Sequence, residues 1–90
     1  MKKLLFAATC VVLAFSGAAN ANVGICDKLW VERNSYYKDA GYCFQTPRAI
    51  YHFGNGECRF VNQNAIYLPN AVRDRIAQIV RAERDFGCSG

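Results

Sequence analysis

The sequence predicts a mainly α fold: a small disulfide-stapled three-helix domain with a short irregular or β-hairpin segment between helices two and three. Three observations lead there. Three stretches carry apolar side chains at helical spacing between a starting and a stopping residue. Four cysteines lie in a stretch of only 69 residues, 22–90. No repeat, low-complexity tract or linker divides that stretch, so it reads as one domain.

The chain opens MKKLLFAATCVVLAFSGAANA. Lys2 and Lys3 form a positive region, Leu4 to Phe15 an apolar one, and Ala19-Asn20-Ala21 a small-residue cleavage site. This is the layout of a secretory signal peptide, residues 1–21, cut after Ala21 to leave a domain at 22–90. The apolar run falls short of the ~20 residues a spanning helix needs, so no stable membrane insertion is expected after cleavage. Thr9 is a poor neighbour for lipid attachment at Cys10. The expected location is periplasmic or secreted.

Past residue 21 there are nine Lys and Arg against seven Asp and Glu. No run of basic residues forms a stripe that could follow a phosphate backbone, so nucleic acid is not an expected partner.

The first helix is expected to start at Asp27, a good N-cap, and to stop at Gly41. Leu29, Trp30, Arg33, Tyr36, Tyr37 and Ala40 share one of its faces. The second starts at Thr46-Pro47, a cap followed by proline at the first helical position, and ends at Gly54. The third is expected to use Asn70 as N-cap and to end at Gly87, with Val72, Ile76, Ile79, Val80 and Phe86 as its buried stripe. Between the last two, Asn55-Gly56 marks a turn, and residues 58–61 and 65–68 look extended enough for a small hairpin.

Cys26, Cys43, Cys58 and Cys88 make an even set in an exported chain, which implies two disulfides. Metal-ligand spacing is absent and His52 is the lone histidine, so neither a metal nor another cofactor is expected. A helical segment from Asp27 to Ala40 would hold Cys26 and Cys43 about 20 Å apart, too far for a bridge. Two connectivities remain. Cys43–Cys58 with Cys26–Cys88 is preferred over Cys26–Cys58 with Cys43–Cys88. The preferred pair would contribute up to about 3 and about 4 kcal/mol through loop closure.

Trp30, Tyr37, Tyr42, Phe44 and Phe53 are large enough to form the core of a domain this small. Arg33 falls on the apolar face of the first helix, where an unpaired cation is costly. Glu83 falls within the apolar stripe of the third, seven residues after Ile76 and four after Ile79. An Arg33–Glu83 pair joining the two helices would satisfy both. Asn34 is expected to bond to backbone in a neighbouring loop. Arg73, Arg81 and Arg84 recur on the polar side of the third helix, with Asp74 and Asp85 beside them. No nucleophile or paired carboxylates can be placed beside His52, so an enzyme is not expected.

The spacing Leu29-Trp30, Arg33-Asn34, Tyr37, Gly41-Tyr42, Phe44, Thr46-Pro47 resembles the YARHG domain family, small extracellular bacterial modules without a settled biochemical activity. The family's name motif, Tyr-Ala-Arg-His-Gly, aligns with Tyr37, Lys38, Asp39, Ala40 and Gly41, so its Ala, Arg and His are all replaced here. Chemistry through a motif histidine is therefore closed to this chain. The resemblance implies an envelope role, because relatives accompany cell-wall-associated modules.

The expected function is binding or structural, with peptidoglycan or an envelope protein as partner. Candidate contacts are Arg33, Asn34, Arg81 and Arg84; Trp30, Tyr37, Gly41, Tyr42, Phe44, Pro47 and Glu83 are structural. The alternative is a secreted inhibitor or effector of another protein; a small cell-wall hydrolase comes third.

Overall fold

The computed structural model describes residues 24–89. Helix α1 covers residues 24–39, α2 Pro47–Phe53 and α3 Asn70–Asp85, with a single 3₁₀ turn at Gln63–Ala65. The expected leader and its cleavage site lie outside the described residues.

Both long helices stop by the same device. At the end of α1 the Gly41 N–H donates to the Lys38 carbonyl and the Tyr42 N–H to that of Tyr37, each at 3.1 Å. At the end of α3 the Gly87 N–H donates to Arg84 at 3.1 Å and the Cys88 N–H to Glu83 at 2.8 Å. These are paired Schellman bonds, and they need a left-handed residue at the glycine. Gly41 has φ 90° and Gly87 φ 71°. Helix α2 opens as expected: Pro47 is its first residue, and the Thr46 Oγ1 accepts from the Ala49 N–H at 3.3 Å.

Two expected starts are corrected. Asp27 is not an N-cap, since residues 24–26 are already helical. Its carboxylate instead meets Arg48 of α2, and Cys26 sits within the helix to reach Cys88. Asn70 is the first helical residue of α3 rather than its cap; Pro69 precedes it and no side chain caps that end. Of the two forms expected for the segment between α2 and α3, the irregular one is found. Among the described residues the only β pairing is one parallel bridge between Tyr42 and Phe60. Asn62 diverts the chain there: its side chain accepts from the Asn64 N–H at 2.9 Å and opens the 3₁₀ turn in place of a strand.

The disulfides join Cys26 to Cys88 and Cys43 to Cys58, with Cα separations of 5.5 and 5.1 Å. The first ties α1 to the end of α3. The second holds the 58–60 segment against the strand-like residues after α1.

An aromatic chain fills one side of α1. Trp30 lies 5.8 Å from Phe53, Phe53 stacks on Phe44 at 5.2 Å, Phe44 meets Tyr42 edge-on at 5.3 Å, and Tyr42 meets Tyr37 at 6.1 Å. Trp30, Phe44 and Ala49 are buried at its centre. The Asn55 side chain braces it, accepting from the Phe44 N–H at 2.8 Å and donating to its carbonyl at 3.0 Å. On α3, Ile79 is fully buried, but Val80 and Phe86, expected inside, are 42% and 46% exposed. The α3 stripe is narrower than its sequence implies, because Glu83 takes a place in it.

Candidate functional site

Arg33 of α1 and Glu83 of α3 form a bidentate pair: Nε to Oε1 at 2.9 Å and Nη2 to Oε2 at 3.0 Å. Their side chains are 17% and 13% exposed, so the pair lies at the helix seam with little water around it. Arg33 is thereby committed to the fold. Asn34, also a candidate contact, is buried at 8%, and its amide donates to the Trp30 carbonyl at 2.9 Å, one turn back in the same helix. The bond to a neighbouring loop is corrected: the amide meets its own helix first.

A second ion pair joins the same two helices. The Glu32 carboxylate accepts from Arg75 Nε at 2.7 Å, Arg75 Nη2 at 2.8 Å and the Tyr36 hydroxyl at 3.0 Å. The Arg75 hydrogen bond is the main force holding the Glu32 carboxyl below the usual carboxylate range, with burial opposing it and Tyr36 assisting. The hydroxyl of Tyr36 is pushed up, chiefly because it donates to that carboxylate, and Arg75 is pushed up by the same Glu32 contact.

At the amino end of α1, Arg48 of α2 lies over the Trp30 ring, its Cζ 3.8 Å from the ring centroid, and reaches the Asp27 carboxylate at 3.1 Å. His52 is exposed and meets Trp30 edge-on at 5.7 Å. A cleft of about 380 Å³ opens here between Arg48, Phe86 and the Cys26–Cys88 bridge.

Arg81 and Arg84 remain. Both are exposed on the outer side of α3, and neither makes an ion pair or hydrogen bond among the described residues. Asp74 and Asp85 do not neutralise them directly. Arg73 donates to the Leu68 carbonyl at 3.1 Å and so serves the start of its own helix.

A protein-family model, the YARHG domain, matches residues 9–84. The chain belongs to the YARHG domain family. No curated protein and no solved structure matches it. In this YARHG domain the motif positions 37–41 form the closing turn of α1, with Tyr37 in the aromatic chain and Gly41 at the left-handed stop. The two disulfides and the family are consistent with an extracellular or periplasmic protein. Among the described residues no helix is long and apolar enough to cross a membrane.

Sequence reasoning missed the Arg48–Trp30 contact, the Glu32–Arg75 pair, and the burial of Ala49 and Ile66. Neither contact had a signal in the sequence, since Arg48, Glu32 and Arg75 all lie off the apolar stripes.

Proposed function

We propose that this YARHG domain is an exported, non-catalytic binding module of the bacterial envelope, contacting peptidoglycan or an envelope protein through the outer side of α3. The reading includes a leader at residues 1–21 removed by cleavage after Ala21. One observation carries it. Arg33, Arg48 and Arg75 each meet a carboxylate of the chain, whereas Arg81 and Arg84 point outward with their donors unspent. Guanidinium groups in that state suit the carboxylates and phosphates of wall polymers, which they bind in a planar two-point contact. Exposed Val80, between the buried seam and these arginines, adds apolar contact area.

Co-sedimentation of the disulfide-bonded protein with purified cell-wall sacculi tests this reading. Pelleting at low salt, lost at high salt and in the Arg81→Ala/Arg84→Ala protein with its fold retained, is the expected result. Absence of pelleting at any salt would overturn the wall as partner. Unaltered pelleting of the double variant would overturn the α3 surface.

A further inference from the structure

At the other end of α1, about 20 Å from the Cys26–Cys88 bridge at 1.5 Å per residue, the chain encloses a second cleft. Its volume is about 480 Å³, and its walls are the closing turn of α1 and the segment around Gly56. Four charged side chains line it: Lys38 and Arg59, Asp39 and Glu57. Opposite charges this close would ordinarily pair with one another. Among the described residues none of these four forms an ion pair. Lys38 donates to the Gly54 carbonyl at 3.1 Å, and Arg59 has no hydrogen-bond acceptor for its side chain.

The exposed Arg59 side chain also lies close against Gly41. A Cβ on Gly41 would lie 3.0 Å from both Nε and Nη2 of Arg59 and 3.4 Å from its Cζ. The Nε–Nη2 edge of the guanidinium therefore faces the space that glycine leaves open, and its Cζ lies 5.4 Å from the Phe60 ring centroid. The backbone fixes the rest: the N–H groups of Arg59 and Phe60 both donate to the Gly41 carbonyl, at 2.8 and 3.0 Å, and the Cys43–Cys58 bridge adjoins them. The edge turned away from Gly41, Nη1 with Nη2, is left to receive a carboxylate approached edge-on. Asp39 and Glu57 on the same cleft supply acceptors for an ammonium group.

From this arrangement we infer that the cleft binds a small zwitterion, an amino acid or short peptide carrying both a free carboxylate and a free ammonium group. Arg59 receives the carboxylate; Asp39 and Glu57 receive the ammonium. Tyr42 is also part of the lining. The inference is independent of the α3 surface proposed above, which lies at the opposite end of α1.

Nuclear magnetic resonance titration of the disulfide-bonded protein tests it, with trialanine, its N-acetyl form, its C-terminal amide, and alanine as probes. Trialanine is expected to saturate with a midpoint below about 5 mM, moving the amide signals of Gly41, Gly56 and Arg59. Blocking either end is expected to weaken binding at least about tenfold. Equal affinity for alanine assigns the cleft to amino acids, and a preference for trialanine assigns it to peptides. Arg59→Gln is expected to abolish saturation. Should that variant not fold, Asp39→Asn/Glu57→Asn carries the same test, since Asn tolerates the φ of 62° at position 57. Failure of both trialanine and alanine to saturate, equal binding of either blocked form, or unchanged titration of a folded variant would overturn the inference.

Discussion

Glu83 sits four residues past the fully buried Ile79, where a lone carboxylate would be costly, and Arg33 meets it with both donors of its fork. Removing one partner strands the other at a site only 17% or 13% exposed. Glu83→Ala should therefore cost about 2–3 kcal/mol in chemical unfolding, while Arg33→Met/Glu83→Leu should come within about 1 kcal/mol of the parent protein. A cost for Glu83→Ala below about 0.5 kcal/mol would class the pair with solvated surface bridges. The pairing was legible because each residue broke the apolar pattern of its own helix, so each demanded a partner. Arg48 and Arg75 broke no pattern, and their contacts with Trp30 and Glu32 depend on where the helices cross. Asn34 was placed wrongly because its nearest acceptor is the Trp30 carbonyl four residues back, which one helical turn supplies.

Among the α-helices described, α2 is the shortest, seven residues, and most depends on its ends. Thr46→Ala removes the acceptor of the Ala49 N–H and should cost about 1 kcal/mol, seen as faster amide exchange at Ala49 and Ile50. Both ends of α2 were written locally, in Thr46-Pro47 and Gly54, and the structure uses both. The start of α1 was not: Asp27 has capping chemistry, but helical backbone runs past it and its carboxylate serves Arg48. Tertiary contact outweighs a weak local preference there. The junction of α1 with α3 has a pH dependence that follows from Glu32. Its carboxyl is lowered in the folded protein, so the folded state holds that proton less tightly than the unfolded chain. Its contribution is complete above the ordinary carboxylate range, about pH 5, and is lost as pH falls through the lowered value. Glu32→Gln should lower stability near neutrality by the pair's full contribution and converge on the parent protein as pH falls, flattening the curve below that pH. The effect should be small and shrink with added salt, since this pair is far more exposed than Arg33–Glu83.

Across the whole molecule, the two disulfides constrain different things. Cys26–Cys88 closes a loop of sequence separation 62 and Cys43–Cys58 one of 15, so loop entropy alone ranks the first higher, at about 4 against about 3 kcal/mol. The folded contacts distribute otherwise. Where Cys26–Cys88 joins α1 to α3, the Arg33–Glu83 and Glu32–Arg75 pairs and buried Ile79 already hold the two helices. Around Cys58 the chain has one β bridge and a few backbone bonds to Gly41 and Cys43. Replacing Cys26 and Cys88 by serine should therefore lower global stability more while leaving amide protection in the centres of α1 and α3 in place. Replacing Cys43 and Cys58 by serine should cost less globally, yet release the amides of Cys43, Arg59 and Phe60 to rapid exchange. Thermal unfolding together with residue-resolved exchange separates the two effects. The same global loss from both replacements, with no local release at Arg59, would mean that backbone bonding to Gly41 and Cys43 holds that segment without the bridge. The cleft lined by Arg59 would then keep its shape without the bridge, and trialanine binding should persist in the Cys43→Ser/Cys58→Ser protein.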